Sequence, residues 1–199
     1  VDGIIIAGTG HNGRLLRDIR SSGLTVTQIV RQQDSTINSV IVNYENCGYE
    51  ATRYLAAKGC REIGLINGTM KIAPYQERYQ GYKRALEELG LPETSAISAS
   101  PVNSMEYGYQ CALDLLEQNP DLDAIMAAVD VQGIGAMRAL KEQGIKVPGQ
   151  ICLVSRNGHI IGGMLEKTMT SMDMPAREMG ARAALVTISD IETPSEEVS

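Results

Sequence analysis

Short, largely apolar runs alternate with longer amphipathic stretches along most of the 199-residue chain. Short apolar runs predict strands inside a sheet, whereas apolar positions that recur every three or four residues predict helices. The predicted strands cover residues 3–7, 26–30, 62–66, 96–99, 123–129, 150–155 and 168–172, and the predicted helices cover residues 14–22, 46–58, 75–89, 105–118 and 133–143, with a last helix opened by Pro175. This alternation with short loops indicates an α/β fold whose parallel sheets are flanked by helices.

Two details of the pattern make sharper predictions. The continuous apolar run at residues 3–7 is typical of a strand that is buried on both faces. Gly23, Gly59 and Gly90 each follow a predicted helix. These glycines are expected to end their helices, because glycine adopts the left-handed backbone conformation without steric cost.

Composition and charge narrow the classes of function. The chain carries 18 Lys and Arg against 24 Asp and Glu, which gives a formal net charge of -6. This balance argues against direct binding of nucleic acid by this chain, because phosphate contacts need clustered Lys and Arg. No apolar run reaches the length of about 18 residues that a membrane-spanning helix needs, so no membrane partner is expected. With two histidines and no GxSxG sequence, a catalytic Ser/His/Asp triad is not expected either.

The four cysteines stand at positions 47, 60, 111 and 152. They form no CxxC pair and fit no zinc-ligand spacing, so they are expected to be buried thiols in a reducing compartment. No metal or cofactor is predicted. The chain opens on VDGIIIAG, which indicates a core strand and not a secretory signal, so a cytoplasmic location and further sequence upstream are expected.

One motif favours an enzyme. Residues 8–13, GTGHNG, match GxGxxG, follow a predicted strand and open a predicted helix, which is where a pyrophosphate can rest. With Arg31 placed to meet a 2′-phosphate, residues 4–31 resemble the first βαβ unit of NAD(P)-dependent short-chain reductases. The two YxxxK sequences, at residues 54–58 and 79–83, come too soon after the glycine loop to serve as that family's catalytic pair. A reductase therefore remains only an alternative.

A longer set of motifs extends over nearly the whole chain. Residues 41–67, IVNYENCGYEATRYLAAKGCREIGLIN, resemble the segment VxxDNxxGxxxAxxxLxxxGHxxIxxI of the LacI/GalR family of transcriptional regulators. The remaining matches are VDGII at 1–5, RYQGY at 78–82 with RxxGF, AIMAAVD and GAMRAL within 124–140 with AIFAxND and GAxxAL, VPGQICLV at 147–154 with VPxDIxVV, and TMTSMDMPAREMG at 168–180 with LTTVxQPxxxMG. Because the motifs follow the family's order, the sequence is identified as a member of this family, with the family's effector-binding domain.

The resemblance implies a two-lobed fold of the periplasmic-binding-protein type I kind, with chain crossings near residues 40–43, 157–158 and 172. The expected N-lobe comprises residues 1–41 and 158–172, and the expected C-lobe comprises residues 42–157 and 173–199. The family's N-lobe has a strand, a helix and a strand before the VDGIII strand, and a strand after the last helix. The N-lobe is therefore expected to be incomplete in this chain.

The same resemblance implies a function. A small-molecule effector, a sugar or a related metabolite, would bind in the cleft between the lobes and control operator DNA binding by an upstream helix-turn-helix domain that this chain lacks. The family forms homodimers, so a homodimer is expected, and no catalytic activity or cofactor is implied. A periplasmic sugar-binding protein of an uptake system shares the fold and is a second alternative.

Effector-contacting positions carry over from the family residue by residue. Arg78 matches the ligand-binding arginine of RxxGF and can offer a bidentate pair of donors to hydroxyls or a carboxylate. Asn157 stands at the first Asp of GFDD, where it keeps an acceptor and loses the charge. Asn103 stands where the family often has an aromatic residue against the ligand. The sequence SRNG at residues 155–158 replaces GFDD, and Tyr44 replaces the Asp of DN.

Three further residues complete the predicted site. Asp130 retains the Asp of the family's ND, although it could equally cap the helix that follows. Arg31 matches the Arg of the family's DR, with Val30 in place of the Asp. The chain has 8 Tyr but no Phe and no Trp, so any ring stacked on a sugar must be a tyrosine, and Tyr75 and Tyr107 are the candidates nearest to Asn103 in the sequence.

Overall fold

The computed structural model describes residues 1–8, 12–97, 103–157 and 169–193. The chain divides into two compact units. Unit 1 comprises Val1–Val42 and Pro175–Ser199, and unit 2 comprises Asn43–Met174. Each unit contains a parallel sheet flanked by helices, which confirms the predicted fold class.

Unit 1 contains a parallel sheet in the order β1-β2-β3, formed by β1 (Gly3–Ile6), β2 (Thr25–Ile29) and β3 (Ser39–Val40). Helix α1 (Gly13–Ser21) packs on one face, where Leu16, Val26 and Ile37 form a small core. The last helix, α6 (Ala176–Glu192), packs against all three strands and buries Met179, Ala183 and Thr187.

Strand β1 is less buried than its apolar sequence predicts. Ile4 and Ile6 pack on the core under α1, but Ile5 is 44% exposed. Within the described residues β1 is an edge strand, paired with β2 alone. The prediction of burial on both faces is therefore wrong for this strand.

The polar segment after β2 is organised by one buried side chain. The Gln28 amide nitrogen donates to the carbonyl oxygens of Asp34 and Ile37, and its Oε1 accepts from the backbone N–H of Gln33 and Asp34. The Asp34 carboxylate in turn accepts from Thr36 and pairs with Arg17. A loop that reads as merely polar in the sequence thus has a fixed backbone, because its buried polar groups are satisfied internally.

Unit 2 contains a parallel sheet in the order β5-β4-β6-β7-β8. The strands are β4 (Ile63–Asn67), β5 (Thr94–Ile97), β6 (Ala124–Ala127), β7 (Cys152–Asn157) and β8 (Thr170–Asp173), and the helices are α2 (Tyr44–Ala57), α3 (Ala73–Leu89), α4 (Met105–Gln118) and α5 (Asp130–Glu142). One face packs on α2 and α3 through residues such as Leu55, Leu65 and Tyr82. The opposite face packs on α4 and α5 through residues such as Leu115, Ile125 and Leu140.

On each face of the unit 2 sheet the two helices, α2 with α3 and α4 with α5, contact each other at glycines. A methyl group at Gly81 of α3 would lie 1.9 Å from the carbonyl oxygen of Glu45 on α2, and one at Gly135 of α5 would lie 1.9 Å from that of Met105 on α4. Only glycine permits backbones to approach this closely. Gly48 of α2 meets the same steric requirement, because a methyl group there would lie 2.1 Å from the carbonyl oxygen of Arg78.

The division into units corrects the predicted lobe boundaries at two places. Strand β8, predicted for the N-lobe, pairs with β7 in the unit 2 sheet, with Ser155 opposite Ser171. Helix α6, predicted for the C-lobe, belongs to unit 1, where the Thr187 hydroxyl lies 2.7 Å from that of Thr27. The crossing predicted near residues 157–158 adjoins residues 158–168, which lie outside the described residues.

Most other local predictions agree with the structure. Gly23, Gly59 and Gly90 follow helices with φ of 89°, 99° and 64°. Helix α2 begins at Tyr44, earlier than predicted, because the Asn43 side chain caps it by accepting from the N–H of Asn46. Among the helices of the described ranges, none has the length and apolar character that a membrane crossing requires.

Tyr82 provides a test of the core under α2 and α3. Its hydroxyl lies 2.7 and 2.9 Å from the carbonyl oxygens of Ile63 and Thr94, donates to one of them, and accepts from the N–H of Thr94. Tyr82→Phe should lower the free energy of unfolding by about 1–3 kcal/mol, because it leaves buried backbone groups unpaired.

The matched control is Tyr79→Phe on the same helix, where the hydroxyl donates to the exposed Glu93. Its effect should stay within about 0.5 kcal/mol. Urea denaturation of both variants measures the difference, and equal losses would contradict the assignment.

Candidate functional site

All strands of unit 2 run in the same direction, so their carboxyl ends meet at one edge of the sheet. We call this the carboxyl edge, and it is where parallel α/β sheets bind ligands. Asn67 ends β4, and Arg156 and Asn157 end β7. Because α3 follows β4, its first turns begin at this edge with Tyr75 and Arg78.

Arg78 is the predicted ligand-binding residue, and its side chain is only 3% exposed. Its Nε and one terminal nitrogen, Nη1, are buried and have no hydrogen-bond partner among the described residues. Burial and, to a smaller extent, the nearby charge of Arg156 together lower the pKa of Arg78 to about 10. At neutral pH the side chain is nevertheless charged, so the fold retains a buried cation with free donors.

Arg156 is a second buried arginine beside the first, at 7% exposure. Arg156 is two residues after Val154 in β7, and residues two apart in a strand point to the same face of the sheet. Arg156 therefore lies on the face that packs under α2 and α3, as Val154 does. Its Nη2 is buried without a hydrogen-bond partner. In the described part of the chain neither arginine forms an ion pair with a carboxylate. We refer to Arg78 and Arg156 as the arginine pair.

Two tyrosine rings support the arginine pair. The guanidinium carbons of Arg156 and Arg78 lie 4.4 and 5.8 Å from the ring centre of Tyr44, and that of Arg78 lies 5.5 Å from the ring centre of Tyr75. A cation over an aromatic face is attracted to it, which offsets part of the cost of burial. Such contacts leave the N–H groups at the guanidinium edges available to a ligand.

Asn67 adds an acceptor at the same edge. Its amide nitrogen donates to the carbonyl oxygen of Tyr75 at 3.0 Å, while its Oδ1 is buried without a hydrogen-bond partner. Gly68 follows, and a methyl group there would lie 2.5 Å from the Tyr75 ring. The glycine therefore lets Tyr75 pack against the backbone at the end of β4. The edge thus combines two cations, an amide oxygen and two aromatic rings.

Asp130 is engaged on the opposite face, under α4 and α5. Its carboxylate accepts from the hydroxyls of Ser155 and Ser171, at 2.5 and 2.9 Å, and the residue is 3% exposed. The alternative that Asp130 caps α5 is wrong, because the cap is Val129 and Asp130 is the first helical residue. The carboxylate instead ties the start of α5 to the ends of β7 and β8.

The other predicted residues lie at strand or helix ends but are not joined to the arginine pair by any described contact. Asn103 is exposed and precedes the Ser104 cap of α4. Asn157 is opposite Asp173 in the β7–β8 register. Arg31 is half-buried in unit 1 and follows Val30, whose φ of 71° is unusual for a branched residue. Effector contacts by these residues and by Asp130 stay predictions.

Sequence reasoning missed Arg156, Tyr44 and Asn67 as site residues. The signal was present at two of them, because Tyr44 and Arg156 stand at positions where the chain departs from the family motifs DN and GFDD. From the sequence alone, those departures indicate only that polar and aromatic residues of the family's binding pocket are missing. In the structure they form a new contact, with the substituted arginine stacked on the substituted tyrosine.

The described part of the GxGxxG motif does not favour a dinucleotide. A methyl group at Gly8 would lie 1.9 Å from the amide nitrogen of Gln33, and Gln33 Oε1 accepts from the N–H of Asn12 at 2.8 Å. The Gln33 side chain therefore fills the space beside Gly8 where a pyrophosphate would lie, and it already accepts a hydrogen bond from the Asn12 N–H at the start of α1. Thr9, Gly10 and His11 lie outside the described residues.

The thiols are free, and the described residues hold no group of three or more His, Cys, Asp or Glu suited to a metal ion. Cys60 and Cys111 are buried, as expected, whereas Cys47 and Cys152 are only half-buried. Burial, together with the neighbouring Cys152, raises the pKa of Cys60 to about 12. A thiol with such a pKa is a poor nucleophile at neutral pH.

Comparison with known proteins identifies relatives along the whole chain. The sequence profile of the family described as "Periplasmic binding protein-like domain" matches residues 52–198. The ribose operon repressor of Halalkalibacterium halodurans is 32% identical over 142 residues, which cover 71% of this chain and 42% of that protein. The chain spans about half the length of the curated relatives it matches.

Solved structures agree in fold. The transcription regulator GntR from Chromobacterium violaceum has a TM-score of 0.87 at 26% identity, covering 100% of this chain and 73% of that one. A complex of the transcriptional regulator CelR with cellobiose has a TM-score of 0.83 at 25% identity, covering 99% of this chain and 61% of that one.

Asp130 provides a test of the support beneath the edge. Asp130→Ala should lower the free energy of unfolding by roughly 1.5–3 kcal/mol, because two hydroxyls lose a charged acceptor. Asp130→Asn keeps an acceptor and should lose less. The exposed Asp121→Ala is the control and should change little. Thermal and urea unfolding measure all three, and an unchanged Asp130→Ala would refute the assigned role.

Proposed function

Because the chain belongs to the periplasmic binding protein-like family, in the form found in LacI-type transcriptional regulators, we propose that it is an effector sensor. It binds a small molecule at the carboxyl edge of unit 2 and thereby controls operator binding by the whole regulator. The observation that carries the proposal is the arginine pair, two buried cations in which Nε and Nη1 of Arg78 and Nη2 of Arg156 have no hydrogen-bond partner among the described residues.

Physical chemistry supports a binding role for these residues. A buried donor without a partner costs about 1–3 kcal/mol, and more when it is charged. Proteins keep such groups mainly where a ligand or water completes them, and functional sites are where local stability is sacrificed. A ligand that accepts hydrogen bonds from the arginine pair recovers part of this cost on binding, which gives the bound state a specific advantage.

A sugar or a related metabolite fits the groups at the edge. Arginine N–H groups and the Asn67 oxygen can pair with hydroxyls, and the rings of Tyr44 and Tyr75 offer apolar faces. Among the relatives, one is named a ribose operon repressor and another is a complex with cellobiose. Their names support a carbohydrate-like effector for this chain.

Sensing requires that the ligand favour one conformation over another. An effector shifts a conformational equilibrium only through its different affinity for the two states, and in a homodimer that shift can alter the spacing of DNA-binding domains. We propose this mechanism for the whole regulator, acting in the cytoplasm as a homodimer. Uptake receptors share the fold, but the ribose operon repressor and CelR, which this chain resembles, are by name transcriptional regulators.

The test is a thermal-shift screen of ribose, cellobiose, other sugars, nucleosides and amino acids. At least one compound should raise the melting temperature saturably. Arg78→Met should weaken the binding of that compound about 10- to 100-fold, because hydrogen bonds to a charged group contribute about 1.5–3 kcal/mol. Methionine keeps the unbranched length without the charge.

Arg138→Met is the matched control, since Arg138 is on α5 with a side chain 73% exposed. It should leave binding unchanged. A ligand that binds equally well to Arg78→Met would refute the assigned site, and the absence of any saturable response would count against the sensor itself.

A further inference from the structure

We propose that the effector carries an oxyanion, a phosphate ester or a carboxylate, which Arg78 and Arg156 hold between them. This rests on the proposed function and specifies the ligand's chemistry. The observations behind it are the burial of both guanidiniums, their shared contact with Tyr44, and their lack of a carboxylate partner in the described residues.

Charge distinguishes this proposal from simple sugar binding. Buried charges are normally paired, because removing an ion from water is expensive unless an opposite charge is close. The two guanidiniums carry like charges close to the same tyrosine ring, and their mutual repulsion is strong at low dielectric. A neutral sugar would satisfy the free N–H groups but leave both charges uncompensated, whereas an oxyanion satisfies the donors and neutralises charge at once.

The acidic residues near the pair are committed elsewhere or do not reach it. Glu45 of α2 pairs with Arg84. Glu77 is next to Arg78 on α3 and its charge interacts with Arg78, yet burial raises the pKa of Glu77 and the two side chains form no ion pair. The pair therefore has no internal counter-ion among the described residues.

The second arginine is a departure from the LacI/GalR family motif. Arg156 stands where the LacI/GalR motif GFDD has its Phe, and the chain has no Phe at any position. An aromatic ring at this position would provide an apolar surface, whereas a guanidinium provides up to five N–H donors and a positive charge. The substitution changes the edge from a site with one cation to a site with two.

The experiment compares matched ligands by isothermal titration calorimetry at constant ionic strength. The sets are glucose, glucose 6-phosphate and gluconate; ribose and ribose 5-phosphate; and inorganic phosphate alone. At least one anionic member should bind about tenfold or more tightly than its neutral partner, and inorganic phosphate should compete with it. Preference for the phosphate ester or for gluconate identifies which oxyanion the site takes.

Variants of Arg156 connect that preference to the pair. Arg156→Phe restores the family residue and should abolish the anion preference. Arg156→Lys keeps the charge but loses the bidentate geometry, so it should retain part of the preference. Arg138→Phe, on the exposed face of α5, should change nothing.

Ligand-free stability provides a second readout. Arg156→Met removes an unpaired buried charge, so its melting temperature should equal or exceed that of the parent chain. A fall of more than about 4 °C, roughly 1–2 kcal/mol for a chain of this size, would show that Arg156 supports the fold and would overturn the proposal.

The outcomes separate the two proposals. Neutral sugars that bind through Arg78 with no gain from a phosphate or carboxylate would overturn the oxyanion and leave the sensor standing. Anion binding that survives both Arg78→Met and Arg156→Phe would also overturn it. If inorganic phosphate and every anionic compound fail to bind, the oxyanion proposal is wrong, whatever the neutral compounds do.

Discussion

The central constraint in unit 2 is the burial of two guanidiniums at one edge of a parallel sheet, with no ion pair to a carboxylate among the described residues. Parallel strands bring all their carboxyl ends to this edge, so residues far apart in the sequence, such as Tyr44, Arg78 and Arg156, meet there. Aromatic faces reduce the cost of the two charges, but three of the guanidinium nitrogens have no hydrogen-bond partner within the described part of the chain. A structure with this feature is most stable when something else supplies the missing acceptors.

The two faces of the unit 2 sheet separate a supporting contact from the proposed binding site at that edge. On the face under α4 and α5, the Asp130 carboxylate accepts hydrogen bonds from the hydroxyls of Ser155 and Ser171 and thereby links the ends of β7 and β8. On the face under α2 and α3, Arg156 extends from the next position of the same strand toward Tyr44. Adjacent residues of one strand thus serve opposite purposes, because successive side chains point to opposite faces. Rigid support from one face keeps the arginine pair in place on the other.

Local sequence patterns predicted most helices and strands, and the predictions that were wrong concern burial and packing that long-range contacts determine. The glycine caps and amphipathic helices are encoded within a few residues, and they agree with the structure. The exposure of Ile5, the pairing of β8 with β7 and the packing of α6 on unit 1 depend on which elements become neighbours, which periodicity does not show. Arg78 was predictable from its motif. Arg156 was not, because the motif places an aromatic residue there and only the structure shows that Arg156 lies beside Arg78.

The central claim is that the arginine pair is a ligand site and not a structural contact. The most direct measurement is ¹⁵N–¹H NMR of the arginine Nε–H groups, assigned with single variants, during titration with inorganic phosphate at constant ionic strength. The account predicts that the Arg78 and Arg156 signals shift together and saturate, while the exposed Arg138 signal stays constant. Signals of Arg78 and Arg156 that remain unchanged, or that shift no more than that of Arg138, would contradict it.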